Sequence, residues 1–213
     1  MALTEAEIAA IDKHLYETEP VNGMKYQSSL IAILGDARGA ADRDRDGRVK
    51  PGKRSQSWLG ATGYLIMLDQ VGKTFKVEAT PDPFSYPIGR AISHFAPIQD
   101  PAIIEAIYAL RCALAHDYSL FNKDKSGNQP MRDHAFTFTA DPVSPLVQLP
   151  PTKWNRIYNA PPQDQTTVVN LRKVGDLGET VVDSLRRHHR QGALRLRLPL
   201  DEFEWRYGML FRA

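Results

Sequence analysis

Residues 100–120 read DPAIIEAIYALRCALAHDYSL and contain the most informative pattern of the chain. Asp100 suits the N-cap of a helix and Pro101 suits its first position. Apolar residues then recur at helical spacing, which predicts a helix that runs to about His116. These apolar residues are Ile103, Ile104, Ile107, Leu110 and Leu114. The turn-rich residues 122–130 predict a connector after this helix.

Apolar residues at helical spacing also occur before residue 100. Thr4 and Glu7 form a capping-box pattern for a first helix that ends before Pro20. The apolar residues of 57–71 cover a wide helical face, so this helix is expected to be buried on more than one side. The other segments are an apolar element over 26–34, a loop over 35–54 and a short helix over 88–95.

After residue 122 the pattern changes to short strands. Residues 135–139 alternate in polarity, and residues 146–149 are their expected hairpin partner. The remaining expected elements are a strand over 166–171, a long helix over 174–190, a strand over 193–198 and a tail over 201–211. We therefore predict a mainly α (α+β) chain. Residues 1–122 form a helical bundle, and residues 123–213 form a β-hairpin or strand region plus a C-terminal helix packed on the same domain.

The composition is that of an ordinary globular chain. It has 213 residues, 42% of them hydrophobic and 24% charged, with a net charge of +2, which excludes a disordered or strongly polycationic protein. The single cysteine, Cys112, excludes an internal disulfide and indicates a reducing compartment. No apolar run approaches the ~20 residues that span a bilayer, and the N-terminus has no signal-peptide pattern. We expect a cytoplasmic protein with no membrane partner.

Arg111 and His116 are the first candidate site residues. A guanidinium near the end of an otherwise apolar helix must be solvated, paired or used in function, because an unpaired buried charge is costly. One interpretation is structural: Arg111 pairs with Asp117 or Glu105, and His116 caps the helix end. The other is catalytic, because histidine moves protons near neutral pH and arginine stabilises charge on a phosphate. Together they supply what RNA cleavage through the 2′-hydroxyl needs, without a metal or cofactor.

Arg111, His116 and Tyr118 form the pattern Arg-x4-His-x-Tyr at the end of a late helix. This pattern resembles the signature of the HEPN superfamily (higher eukaryotes and prokaryotes nucleotide-binding). Many of its members are metal-independent ribonucleases of toxin–antitoxin and antiphage systems. The resemblance implies a HEPN-like bundle, an RNA substrate, and catalytic roles for Arg111 and His116. Cys112, Asp117 and Tyr118 are the expected supporting or modified residues. Cys112 departs from the family, whose active members usually have Asn, Asp or His directly after the arginine.

The five-residue spacing of Arg111 and His116 poses a geometric problem. On a regular helix the two side chains point about 140° apart with a rise of about 7.5 Å. Either the helix ends or distorts around Ala115, or a second subunit completes the site. HEPN relatives typically pair these helices across a two-fold interface, so the resemblance implies a homodimer with one composite cleft.

Tyr118 has two interpretations. In HEPN toxins that are partnered with a minimal nucleotidyltransferase antitoxin, the tyrosine of this motif is the residue that the antitoxin modifies. The resemblance therefore implies an antitoxin partner of the nucleotidyltransferase type. The structural interpretation is an aromatic ring that is packed and whose hydroxyl is hydrogen-bonded.

Two other charged segments carry weaker functional hypotheses. Arg186, Arg187 and Arg190 lie in the more basic part of the chain and are candidates for contacts with an RNA backbone, or else form a solvated helix end. Residues 42–47, DRDRDG, match the first half of a calcium loop, but position twelve is Lys53 and not a glutamate, which favours a self-compensating charged loop. A non-catalytic HEPN-like protein that binds a nucleotide or RNA, or acts as a scaffold, is the main alternative to the ribonuclease.

Overall fold

The computed structural model describes residues 3–20, 22–124 and 130–212. About half of the chain is helical and a much smaller part is strand, which confirms the mainly α (α+β) fold class. The α-helices of the described residues are α1 (Glu5–Leu15), α2 (Ser29–Ala40), α3 (Trp58–Thr74), α4 (Pro87–Phe95), α5 (Pro101–Cys112), α6 (Leu171–Arg190) and α7 (Leu200–Tyr207). The strands are β1 (Met24–Ser28), β2 (Phe75–Val77), β3 (Phe121–Asn122), β4 (His134–Thr139), β5 (Val147–Gln148), β6 (Thr166–Asn170), β7 (Leu194–Leu196) and β8 (Gly208–Arg212).

The helix α3 lies at the centre of the core and contacts α2, α4 and α6. Its N-cap is Ser57, whose hydroxyl accepts a hydrogen bond of 3.1 Å from the Gly60 backbone N–H. Two glycines allow neighbouring backbones to approach closely. A Cβ at Gly60 would lie 2.7 Å from Ala41 Cβ, and one at Gly72 would lie 1.7 Å from the Pro87 carbonyl oxygen. The prediction that this helix is buried on more than one side is confirmed.

The long helix α6 belongs to the C-terminal part of the chain and packs on the helices of residues 1–122. It packs against α1, α3 and α4, and its buried residues Val174, Val181 and Leu185 belong to the same hydrophobic core as the N-terminal helices. Its N-cap is Asn170, whose side chain accepts from the Lys173 backbone N–H. Residues on both sides of position 122 therefore contribute to one hydrophobic core. The division of the chain at that position stays a prediction.

The larger sheet has the strand order β3-β4-β6-β5. The predicted hairpin of residues 135–139 with residues 146–149 is wrong: β4 pairs in parallel with β6, and β5 pairs antiparallel with β6. The β-branched residues of β6 favour a central strand, and its Thr167 and Val169 are fully buried. Prolines on both sides of β5 confine it to two residues at the sheet edge.

Two further predictions are corrected. The apolar element expected over 26–34 is a strand followed by a helix, because the Ser28 hydroxyl caps α2 by accepting from the Ile31 backbone N–H. The helix then continues through Gly35 and Gly39 into the expected loop, because packing against α3 outweighs the low helix propensity of glycine. The expected tail is α7 and β8, and β8 pairs antiparallel with β1.

Candidate functional site

The helix α5 presents the motif residues. It begins as expected, with Asp100 Oδ1 accepting a hydrogen bond of 2.9 Å from the Ala102 backbone N–H and with Pro101 in the first turn. Of its apolar stripe, Ile104, Ile107 and Leu110 are buried in the core, and Ile103 is half-buried against it. Arg111 lies in the last turn of α5, with 18% of its side chain exposed, and α3 is the neighbouring helix that meets both α5 and the segment after it.

A single π-helical turn, Ala113–Asp117, follows α5 directly. In a π-helix the hydrogen bonds close five residues along the chain. Here the Tyr118 backbone N–H is shared between the carbonyls of Ala113 and Leu114 and lies 3.2 Å from the Leu114 oxygen. The wider turn brings residues five apart onto one side of the helix. Arg111 Nη1 consequently lies 2.9 Å from His116 Nε2. The expectation that the helix distorts around Ala115 is confirmed, and a composite site with a second subunit stays a prediction.

The contact between Arg111 and His116 has only one possible donor if it is a hydrogen bond. A guanidinium only donates hydrogen bonds, so His116 Nε2 is the acceptor in this contact. His116 itself is exposed. The arrangement therefore places an accessible imidazole next to a cation, which is the pair of groups that the catalytic interpretation requires.

The ion-pair partner of Arg111 is Asp69 of α3, at 2.9 Å between Nη2 and Oδ2. The expected partners are wrong: Glu105 pairs with Arg132 at 2.7 Å, and no ion pair joins Asp117 to a residue in the described part of the chain. The Asp69 side chain is only 7% exposed and also receives Lys73 Nζ at 3.0 Å. Two cations share one carboxylate, so the cluster keeps one net positive charge and favours the approach of an anion.

Sequence reasoning missed Asp69 and Lys73. A signal was available, because Asp69 is the only charged residue of 57–72 and lies among the apolar residues of a helix predicted to be buried. A carboxylate in that position needs a cation. What the sequence did not provide was the distance between α3 and α5 at this point, which depends on how the two helices pack.

A cleft of about 900 Å³ lies beside the motif, and Cys112, His116 and Asp117 contribute to its lining. Burial, together with the neighbouring Cys112 thiol, raises the pKa of Tyr108, which lies one turn earlier on the same helix face. The cleft is large enough for a small-molecule or nucleotide ligand. Because His116 lines the cleft, a ligand bound there would lie next to its imidazole.

Tyr118 ends the π turn in the left-handed region, with φ of 47° and ψ of 46°. This conformation is costly for a residue with a bulky side chain. Its ring packs on Trp58 at 5.6 Å between centroids, yet 54% of the residue is exposed. Within the described residues no group makes a hydrogen bond to its hydroxyl. The structural interpretation of a packed ring with a bonded hydroxyl is therefore only half correct.

The arginines at the end of α6 contact α1. Arg186 donates to the Leu15 carbonyl at 3.1 and 3.2 Å and lies over the Tyr16 ring at 5.4 Å. Arg187 and Arg190 are both exposed, and the Arg190 guanidinium lies 3.4 Å from the Tyr16 hydroxyl. Two of the three candidate RNA contacts thus hold α6 against α1, and a role of these residues in RNA binding stays a prediction.

The charged loop of residues 42–47 is closed by its own hydrogen bonds. Asp44 Oδ1 accepts from the backbone N–H groups of Asp46 and Arg48, and Lys53 lies 3.8 Å from Asp42. Arg43 is buried and pairs with Asp176 of α6. Among residues 3–20, 22–124 and 130–212, no cluster of three or more His, Cys, Asp or Glu side chains is arranged to hold a metal ion. This geometry fits the self-compensating loop better than a calcium loop.

Comparison of the chain with protein-family models, curated proteins and solved structures found no match. Within the described part of the chain, no helix combines the length and apolar character needed to cross a membrane. Functional inference therefore depends on the site itself.

Proposed function

We propose that this chain is a metal-independent endoribonuclease of the HEPN type that acts in the cytoplasm as a toxin or antiphage effector. The observation that carries the proposal is the π turn, which brings Arg111 and His116 within hydrogen-bond distance despite their five-residue spacing. π turns of this kind are rare and occur frequently at functional sites. A second observation supports it: the net positive charge of the cluster of Asp69, Lys73 and Arg111 suits a phosphate.

The proposed reaction is transesterification within the RNA. His116 accepts the proton of the 2′-hydroxyl, whose oxygen forms a bond to the adjacent phosphorus. The bond from phosphorus to the 5′-oxygen breaks, and that oxygen takes up a proton from the protonated His116 of a second copy of the chain as it leaves. The products are a 2′,3′-cyclic phosphate and a 5′-hydroxyl. Arg111 stabilises the negative charge that develops on the phosphate oxygens.

Substrate binding must change the contact between Arg111 and His116. Asp69 holds Nη2 of Arg111, so Nη1 is the donor that an incoming phosphate takes over. This exchange frees His116 Nε2, the acceptor that the 2′-hydroxyl proton needs. Binding of the phosphate and release of the base are then one event.

A second copy of the chain completes the proposed site. Transesterification needs a base and an acid, and each copy supplies one exposed imidazole next to Arg111. The central helix α3, which provides Asp69, exposes two apolar side chains seven residues apart, with Leu59 64% and Ile66 39% exposed. Residues seven apart lie on one helix face, so these two form a surface for a copy of the same helix.

An antitoxin of the nucleotidyltransferase type is the partner that fits Tyr118. The side chain is more than half exposed and only two residues from His116. A nucleotide attached to its hydroxyl would place negative charge and bulk beside the cluster that must receive the substrate phosphate.

A non-catalytic HEPN-like binding or scaffolding protein is the second candidate. The ion pair between Arg111 and Asp69 is the observation that favours it, because it reduces the charge available to a substrate and has a structural role of its own. In that case the cleft binds a nucleotide or RNA without cleaving it.

The test is cleavage of total RNA and tRNA in EDTA by the wild-type protein, Arg111→Ala and His116→Ala. All three are purified identically and checked for folding by circular dichroism. The proposal expects cleavage by the wild type alone, with 2′,3′-cyclic phosphate ends. Equal cleavage by His116→Ala would reject the catalytic assignment, and absence of cleavage by all three, with retained RNA binding, would support the second candidate.

A further inference from the structure

The cleft beside His116 is lined by more than the motif helix. Tyr108, Cys112 and His116 follow one another at four-residue spacing along one side of it. The rest of the lining includes Phe121 of β3 and Tyr158 from the loop of residues 154–160. The cleft thus joins a candidate proton-transfer group to two aromatic rings that the Arg-x4-His-x-Tyr motif does not include.

Tyr158 is displayed by a loop with fixed geometry. The Trp154 indole N–H donates to the Ile157 carbonyl at 3.0 Å, and Asn155 Oδ1 accepts from the Ile157 backbone N–H at 2.9 Å. Arg156 has a φ of 65°, a strained value for this residue type, and its ion pair with Asp133 fixes the loop to the segment before β4. The loop therefore holds Tyr158 in place before any ligand binds.

The Tyr158 ring is supported and still accessible. Phe121 and Trp154 contact it at centroid distances of 5.1 and 5.4 Å and at steep interplanar angles of 72° and 76°. With edge contacts on both neighbours, 57% of the residue remains exposed. An exposed aromatic ring that is already ordered can stack on a flat ligand at little cost in side-chain entropy.

The same cleft contains donors for an anion. The Arg132 guanidinium lies over the Tyr108 ring at 4.5 Å and pairs with Glu105 through Nε, and its two Nη atoms make no hydrogen bond to any residue in the described part of the chain. Lys123 is exposed and has no ion pair with a described residue. An aromatic platform beside such donors is the arrangement that binds single-stranded nucleic acid.

We propose that this cleft is a nucleotide subsite, in which the base of one RNA nucleotide stacks on Tyr158 while Lys123 and Arg132 face its phosphate. A volume of about 900 Å³ accommodates a ligand of that size. The inference rests on the proposed function, because it places this nucleotide next to the phosphate that is cleaved between Arg111 and His116. The protein then prefers unpaired RNA, since a base in a duplex would have to lose its pairing and stacking to reach Tyr158.

The first experiment measures binding without cleavage. A fluorescent single-stranded RNA with 2′-O-methyl groups cannot be cut through its 2′-oxygen, so fluorescence anisotropy reports affinity alone. Base stacking on an aromatic residue contributes about 1–3 kcal/mol, so Tyr158→Leu is expected to weaken binding by roughly 5- to 150-fold and Tyr158→Trp to retain it. The matched control is Trp205→Leu, which removes an 88% exposed aromatic ring from α7 and is expected to leave affinity unchanged.

The second experiment locates the interaction. One base at a time is replaced by an abasic site, and each oligonucleotide is tested on the wild type and on Tyr158→Leu. At the position that stacks on Tyr158, loss of the base and loss of the ring are not additive. Cys112, the only cysteine, provides a separate readout: bound oligonucleotide should slow its alkylation in the wild type.

The outcomes separate the subsite from the nuclease. Cleavage that depends on His116, with affinity unaltered in Tyr158→Leu, would overturn the subsite and keep the nuclease. Binding that depends on Tyr158, with no cleavage of unmodified RNA, would keep the subsite and reject the nuclease. Equal loss of affinity in Tyr158→Leu and Trp205→Leu, or fully additive effects at every abasic position, would also overturn the subsite.

Discussion

Asp69 and Arg111, 42 residues apart in the sequence, are joined by an ion pair of 2.9 Å between two largely buried side chains. The pair connects the central helix α3 to the end of α5, directly before the π turn. Arg111 therefore reaches His116 from a fixed position, because one end of its guanidinium is already anchored. Asp69 is in this sense a positioning residue for the candidate site.

Replacement of Asp69 by Asn is expected to lower the free energy of unfolding by about 1–3 kcal/mol, because the buried guanidinium of Arg111 loses its charged partner. Urea denaturation at pH 7.5 measures this change. Asp36→Asn on the exposed side of α2 is the matched control and should stay within about 0.5 kcal/mol of the wild type. If both variants are equally stable, the ion pair does not contribute to stability.

Tyr118→Gly is expected to be more stable than Tyr118→Ala by about 1 kcal/mol. Both variants lack the ring and differ only at Cβ, so the comparison isolates the cost of the left-handed backbone at this position. Thermal or urea unfolding of the two variants side by side provides the measurement. At Ala115, an exposed position within the π turn, Ala115→Gly should be less stable than the wild type, since glycine there loses more backbone entropy on folding. Equal stability of Tyr118→Gly and Tyr118→Ala would contradict a strained end of the turn.

Stability is expected to decrease as the pH falls below about 6.5. Burial lowers the pKa of His14 and His134, so below the ordinary histidine pKa the unfolded chain binds protons that the folded protein does not. Each histidine contributes a slope of at most about 1.4 kcal/mol per pH unit, and its contribution is fully present above pH 6.5. Urea unfolding between pH 8 and pH 5.5 measures the slope.

His14→Gln tests the contribution of a single residue. His14 Nδ1 lies 2.9 Å from the Ala10 carbonyl, and the ring packs on Phe203 at 3.9 Å, so the variant is expected to be less stable at pH 8. Because glutamine does not titrate, its stability should fall less steeply below pH 6.5. Curves that run parallel to the wild type at all pH values would exclude His14 as a source of the acid sensitivity.

Replacement of both Leu59 and Ile66 by lysine is expected to give a monomer without ribonuclease activity, although Arg111 and His116 are unchanged. Two charges on the exposed face of α3 would oppose its pairing with a second copy. Sedimentation equilibrium measures the mass, and the RNA assay is run on the same samples. Val143→Lys changes an 85% exposed apolar residue elsewhere and should leave both the mass and the activity as in the wild type. An active monomer would show that one copy contains the whole site.

Local signals in the sequence predicted most of the helices. The capping box of Thr4 and Glu7 and the N-cap at Asp100 are present in the structure, since both depend only on residues close in the chain. The strand pairing was predicted wrongly, because the register of β4 and β6 depends on contacts between distant residues.

In the candidate site, too, features that depend on residues close in the chain were predicted, and contacts between distant residues were not. Arg111 and His116 were found from their spacing and chemistry, and the five-residue interval itself indicated either a helix that ends or distorts or a second subunit that completes the site. Asp69 was not found, because its proximity to Arg111 follows from the packing of α3 against α5. Tyr158 was not found either, since an aromatic residue in a proline-rich loop has no periodic pattern that marks it as exposed in a cleft.

The pairing of β1 with β8 has a consequence for synthesis of the protein on the ribosome. Residues 24–28 are made early, but their strand partner is made only after residue 207. Phe203, which packs on His14 and Phe75, also arrives late. The chain grows at about 5–20 residues per second, so for roughly 10 seconds or more the N-terminal strand has no partner. Completion of the fold therefore waits for the last segment, and a ribosome that stops before residue 203 leaves β1 without its strand partner and His14 without the Phe203 ring.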